Sequence, residues 1–243
     1  MGKRRLDLLL LERGLVDSRE QAQAAVMAGS VLVDEQPAVK PASLVNDGSS
    51  LRLLARPRYA SRGGEKLEHA LNVFGVDVAG AVAADIGAST GGFTDCLLQH
   101  GASRVYAIDV GRGQLDVRLR QEPRVVVMEG VNARYLEGLP EPVDIVTVDV
   151  AFISLRQVLP AAKRLLRPGG SIVALFKPQF EAARPEVGKG GVIRDPQMHA
   201  RLIGRFAAWC TRNALRVLGL TSSPLLGPAG NREFFFHLGE ASP

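Results

Sequence analysis

Asp85-Ile86-Gly87-Ala88-Ser89-Thr90-Gly91-Gly92-Phe93 stands directly behind the apolar run Ala81-Val82-Ala83-Ala84. An acid and three glycines at the end of such a run mark a strand entering a tight, ligand-accessible turn. The apolar residues from Phe93 to Leu98 mark the helix that follows. The glycines fall at 87, 91 and 92 and so lack the G-x-G-x-x-G spacing that cradles a pyrophosphate, which weighs against a dinucleotide. The competing reading is a glycine-rich connection that binds nothing.

Downstream the pattern alternates. Strands are expected at 81–85, 104–109, 124–128, 143–149 and 171–176, and helices at 92–99, 113–120 and 154–166. Such alternation predicts an α/β domain with a mostly parallel sheet covered by helices on both faces. A helix near 197–213 and strands near 215–221 and 233–238 add an antiparallel edge. Ligands of such sheets lie beyond the carboxyl ends of the strands, where strand order reverses. Asp85, Asp109 and Asp149 each end an apolar strand and are expected on that rim.

An acid ahead of a G-x-x-x-G-G turn suits a ligand with a cationic amino acid moiety and no pyrophosphate, which describes S-adenosylmethionine (SAM). Its expected contacts are Asp85, Gly87, Ser89, Thr90, Gly91, Gly92, Phe93 and Asp149, with Asn132, and less specifically Glu129, toward the adenine edge. Asp109 is the acceptor for ribose hydroxyls, a vicinal diol matching an ionised carboxylate; its alternative is to cap the next helix. Lys177, directly after Ile172-Val173-Ala174-Leu175-Phe176, either emerges into solvent, pairs structurally with Asp149, or supplies an amine that takes a proton from a hydroxyl. The strand end reads Asp149-Val150-Ala151-Phe152, without the Pro-Pro-aromatic pattern of amino-group methylation, and neither cysteine follows a Pro at a strand end. Hydroxyl methylation is what remains.

The first fifty-odd residues differ in kind. Leu6, Leu9 and Leu10 recur at helical spacing, Ser18 caps a second helix with Gln21 at the capping-box position, and short strands follow from Ser30 to Val39 and from Leu51 to Leu54. Arg56-Pro57-Arg58-Tyr59 forms a basic bridge. The expected division is residues 1–55, a linker at 56–62, and the α/β domain at 63–243.

A formal charge of +5 over 243 residues favours a polyanionic partner, and 46% hydrophobic content suits a buried core. Two cysteines, Cys96 and Cys210, support neither a disulfide framework nor a zinc knuckle. The run Leu8–Leu11 is ended by Glu12 and Arg13, too early for a signal peptide, and no apolar run has spanning length. A cytoplasmic protein without membrane or metal is expected. Arg4, Arg5, Arg19, Lys40, Arg58 and Arg62, with Arg56, are the candidate phosphate contacts, and Tyr59 or Phe152 a candidate platform for an unstacked base.

Lys66 in Ser61-Arg62-Gly63-Gly64-Glu65-Lys66, Asp149, Lys177 in Lys177-Pro178-Gln179-Phe180-Glu181, and Glu233 in Gly230-Asn231-Arg232-Glu233-Phe234 resemble the Lys-Asp-Lys-Glu tetrad of the FtsJ-like ribose 2′-O-methyltransferases. The fuller resemblance is to the TlyA family, also labelled hemolysin A, through Gly87–Thr94, Gly111–Leu115, Asp149–Leu155, Lys177–Glu181, Gly190-Gly191-Val192 and Gly227–Asn231. The amino-terminal unit is similar to the small RNA-binding fold first known from the fourth small-subunit ribosomal protein. The resemblance implies a Rossmann-like, SAM-dependent rRNA (cytidine-2′-O)-methyltransferase acting on ribosomal subunits. It makes Lys177 the general base, has Lys66 and Glu233 position and polarise the site, and has Asp149 orient the lysines. The chain departs from the family at Arg58-Tyr59-Ala60, where many members have Arg-Ala-Trp. A non-catalytic RNA-binding protein and a membrane-active hemolysin are the alternatives.

Overall fold

The computed structural model describes residues 2–27, 30–38, 40–53, 58–227 and 229–240. Gly29, Val39, Leu54 and Arg56 lie outside them. The chain forms two compact units, Met1–Pro57 and Arg58–Pro243, so Arg58–Arg62, placed by the sequence in a linker, belong to the second.

In the first unit, β1 (Lys3–Arg5) leads into α1 (Leu6–Glu12) and α2 (Arg19–Met27), then β2 (Val31–Val33), β3 (Gln36–Pro37), β4 (Leu44–Asn46) and β5 (Leu51–Leu53). Leu6 and Leu10, one helical turn apart, pack with Ala22, Val26 and Val31 into a small core. β2 pairs with both β3 and β5. Asp34 and Glu35 take φ of 48° and 61°, the conformation a two-residue hairpin loop demands. The strand pair β1–β4 was not anticipated, because three-residue strands carry no resolvable alternation.

The second unit contains α3 (Gly63–Phe74), β6 (Val82–Ile86), α4 (Gly92–Gln99), β7 (Arg104–Asp109), α5 (Val117–Gln121), β8 (Val125–Glu129), β9 (Val143–Val148), α6 (Leu159–Leu165), β10 (Leu166–Phe176), α7 (Pro178–Glu181), α8 (Pro196–Arg212), β11 (Leu215–Ser222) and β12 (Phe234–Glu240). Its seven-stranded sheet runs β11-β12-β10-β9-β6-β7-β8, parallel from β10 to β8 and antiparallel at β12 and β11. Strand order reverses between β6 and β9, so the crevice opens past Ile86 and Val148.

Both faces of the sheet are buried, which explains the near-continuous apolar strands. Ala84, Ile86, Ile108, Val146, Ile172 and Phe236 face one core with α6 and α8. Ala83, Val105, Ala107, Ile145, Val173 and Phe235 face the other with α3 and α4.

Two expected helices are shorter than the pattern suggested. Gly113 sits at φ 70°, and Asp116 caps the helix by accepting from the Arg118 N–H at 2.8 Å, so α5 begins at Val117 rather than 113. The stretch expected as one helix over 154–166 divides into a 3-10 turn, Leu155–Gln157, and α6, whose first turn holds Pro160. β10 begins at Leu166, five residues early, with an irregularity in its pairing before Ser171.

Candidate active site

The turn after β6 is held from two sides. The Gly87 N–H donates to Ile108 O at 2.8 Å, and the Asp149 N–H to Ile86 O at 2.9 Å. Gly87 has φ 86°, and a Cβ there would stand 2.3 Å from the Asp149 carbonyl oxygen. That glycine is required both by its conformation and by the close passage of the Asp149 segment. At Gly92 a Cβ would fall 2.1 Å from Ser61 Oγ, so its absence lets Ser61–Gly63 approach the start of α4. The glycine there serves contact within the protein.

Four charged side chains from distant parts of the chain converge. Lys66 lies on α3, Asp149 follows β9, Lys177 follows β10, and Glu233 precedes β12. The Lys66 ammonium donates to Glu233 Oε2 at 2.6 Å, with the two residues only 9% and 2% exposed. Lys177 Nζ lies 2.6 Å from Asp149 Oδ1, close in distance but without hydrogen-bond alignment. All four line one cavity of ≈ 240 Å³, together with Ser61, Arg62, Gly63, Gly87, Ala88, Ser89, Thr90, Gly92 and Phe93. Ser61 and Gly63 were not anticipated as lining residues; their signal was the Ser-Arg-Gly-Gly run beside Lys66.

Other expected positions have different duties. Asp85 is fully buried and accepts from Thr94 Oγ1 at 2.7 Å and Thr147 Oγ1 at 3.0 Å. Burial pushes its carboxyl up to about 7, opposed by the two threonine hydrogen bonds. It braces the strand-to-helix turn from beneath and does not reach the cavity, correcting its place on the rim. Gly91, at φ 94°, packs against Leu115 and Leu119 and also does not line the cavity.

Asp109 joins two loops, accepting from the Ser89 N–H at 2.8 Å and the Gly111 N–H at 2.6 Å, and does not cap α5. Each oxygen is engaged by one backbone donor, leaving acceptor capacity for a diol. Asn132 caps a 3-10 turn, its Oδ1 accepting from the Arg134 N–H at 3.1 Å. Glu129 pairs with Arg120 at 2.6 Å, which holds its carboxyl well below the usual range.

The expected phosphate contacts also divide. Asp7, fully buried, pairs with Arg5 at 2.8 Å and Arg19 at 3.1 Å and is held far below the usual carboxylate range, Arg5 contributing most. These two arginines hold the amino-terminal unit together. Arg4 pairs with Glu12, and Arg58 with Glu68 at 2.5 Å. Among the described residues no carboxylate pairs with Lys40 or Arg62, and Arg62 lines the cavity. Tyr59 is buried at 2% exposure against Gly64 and cannot stack on a base, whereas Phe152 is 92% exposed. Among the described residues no His, Cys, Asp or Glu cluster is arranged for a metal, and no helix is long and apolar enough to cross a membrane.

The FtsJ-like methyltransferase family model matches residues 59–240, and the S4 domain model residues 4–51. The 16S/23S rRNA (cytidine-2′-O)-methyltransferase TlyA of Mycobacterium tuberculosis is 46% identical over 238 residues, spanning 96% of this chain and 89% of that protein. The chain belongs to the TlyA (hemolysin A) family of FtsJ-like methyltransferases. Hemolysin A of Brachyspira hyodysenteriae is 39% identical to this TlyA-family chain, over 96% of it and 98% of the relative. A solved structure named as a hemolysin, from Streptococcus thermophilus, superimposes with a TM-score of 0.77 at 44% identity, covering 100% of this chain and 90% of the other.

Proposed function

We propose that this TlyA-family methyltransferase transfers a methyl group from SAM to a cytidine ribose 2′-hydroxyl of rRNA within ribosomal subunits in the cytoplasm. The observation that carries the reading is the meeting of two lysine–carboxylate pairs, Lys66–Glu233 and Lys177–Asp149, in one cavity bordered by the glycine turn at the strand-order reversal.

The residues present fit SAM by their donor set. Gly87–Thr90 line the cavity, and Asp109, half-buried and bonded to the Ser89 N–H, keeps free acceptor capacity for ribose hydroxyls. When bound, SAM supplies an electrophilic methyl group on a sulfonium. The chain's part is to deliver the hydroxyl. Lys177 Nζ, in its neutral amine form, takes its proton and becomes an ammonium, and Asp149, 2.6 Å away, orients the amine. The buried Lys66–Glu233 pair lines the same cavity and presents a cation toward the oxygen as it gains charge. In-line displacement needs alignment above all, and rigid, paired side chains provide it.

Residues 1–55 serve as the RNA-binding domain, and the unit from Arg58 to Pro243, which contains the cavity, as the catalytic domain. Lys40 and Arg62 are the phosphate contacts best supported by their lack of a carboxylate partner among the described residues. Phe152, exposed, is the platform for an unstacked base.

The test is Lys177→Met, assayed for SAM binding by calorimetry and for methyl transfer to ribosomal subunits. Binding within about twofold of wild type with transfer reduced at least about a hundredfold is the expected result, the loss belonging to a general base. Transfer near the wild-type rate would remove Lys177 from that role.

A further inference from the structure

Two chain segments leave neighbouring strands at the site and run side by side. One follows β9 and contains Asp149, Phe152, Ser154 and Leu155; the other follows β10 and contains Lys177, Phe180 and Glu181. Three contacts join them. Lys177 meets Asp149 at 2.6 Å, and Phe180 meets Phe152 with ring centroids 5.3 Å apart and planes inclined at 49°. Finally, Glu181 Oε2 accepts from Ser154 Oγ and Glu181 Oε1 from the Leu155 N–H, both at 2.6 Å.

The third contact has an unusual setting. The Glu181 side chain is 2% exposed, and burial pushes its carboxyl upward. Arg156 is its only nearby cation among the described residues, with Nε 3.8 Å away. A carboxylate buried this deeply costs free energy unless each oxygen is bonded, and here each is, to the segment that contains Phe152. Phe152 itself is 92% exposed at φ 62°, a left-handed conformation that a bulky side chain avoids unless its surroundings impose it. Nothing about an exposed phenylalanine imposes that conformation locally. The Glu181 bonds begin two residues further along and tie the loop down just past Phe152.

We propose that Glu181 is a positioning residue for the acceptor RNA: it latches the Asp149–Leu155 loop to the Lys177–Glu181 segment, so that the Phe152–Phe180 pair and the Lys177–Asp149 pair are set by one brace. The proposal rests on the reading of this site as an RNA ribose methyltransferase. It predicts a division of labour, because neither Glu181 nor Ser154 lines the cavity beside the glycine turn, whereas the loop they hold contains Phe152, the platform for the nucleotide. An unlatched loop samples other conformations, and the apparent acceptor affinity falls by the fraction that remains competent.

The experiment uses the full chain and compares Glu181→Ala, Glu181→Gln and Ser154→Ala. Glu181→Ala should raise the KM for ribosomal subunits by about tenfold or more while the SAM Kd stays within about twofold, as expected for losing hydrogen bonds to a charged group. Glu181→Gln should recover much of the loss, since its amide oxygen can accept from Leu155 while Ser154 Oγ reverses its role and accepts. An unchanged acceptor KM in Glu181→Ala, or equal damage to acceptor and SAM binding, would overturn the proposal.

A second readout needs neither RNA nor SAM. Trp209 is the chain's single tryptophan, so Trp209→Phe combined with Phe152→Trp leaves one indole on the loop. Adding Glu181→Ala or Ser154→Ala should lower its fluorescence anisotropy, and an unchanged value overturns the latch. If the wild-type chain methylates no RNA, the functional reading fails, and this anisotropy still decides whether the latch exists.

Discussion

Asp85→Asn should change how stability depends on pH, with a sign that follows from the burial of the carboxyl. The Asp85 carboxyl is fully buried between Thr94 and Thr147, and its pKa rises from 3.8 to about 7. With the folded value raised, the native state holds a proton that the unfolded chain has already released. Stability from this group is therefore fully present below pH 4 and is lost as pH rises through 7. The loss amounts to roughly 4 kcal/mol across the window, with a slope of up to about 1.4 kcal/mol per pH unit. Asn is nearly isosteric and does not titrate, and the threonine hydroxyls can turn to suit its amide. Urea denaturation of both proteins from pH 5 to 8 isolates the effect, because the other titrating groups cancel in the difference. Relative to wild type, Asp85→Asn should gain stability steadily toward pH 7 and level off above it. A difference that stays constant over that range would refute the reasoning.

Glu233→Leu leaves the Lys66 ammonium buried without its partner and should cost about 3–5 kcal/mol, whereas Lys66→Met with Glu233→Leu should regain most of that stability in urea denaturation and still lack methyl transfer. Gly64→Ala should destabilise by about 1–3 kcal/mol in the same assay, because the new Cβ would lie 2.2 Å from the Tyr59 ring. Phe152→Ala should weaken binding of ribosomal subunits in a filter assay by about 1–3 kcal/mol, the range for one stacked base, without altering SAM affinity.

The parallel sheet was legible because each strand is a near-continuous apolar run between turn residues, and the strand ends then located Asp109, Asp149 and Lys177. What linear pattern could not convey was which way a polar side chain turns. Asp85 and Asp109 both end apolar strands, yet Asp85 points into the core toward Thr94 and Thr147 while Asp109 bridges Ser89 and Gly111. Inward and outward positions differ by a single residue along a strand, and with both faces buried no hydrophobic alternation distinguishes them. The basic residues suffered the same loss. Arg5 and Arg19 read as unpaired phosphate contacts because their partner Asp7, buried beneath them, is apparent only once α1 and α2 pack. Lys66 and Glu233, 167 positions apart, were joined by resemblance to a family tetrad, since no local rule links residues so distant. Glu181 went unremarked as a latch because its partners, Ser154 and Leu155, belong to a loop whose path depends on Phe152 at positive φ.

Transfer of labelled methyl from SAM to isolated small subunits, large subunits and protein-free rRNA, with the modified nucleotide mapped, tests the central claim most directly. The account predicts label on a cytidine ribose 2′-oxygen in subunits, absent with Lys177→Met. Label on a base, or no label on any RNA despite measurable SAM binding, would contradict it.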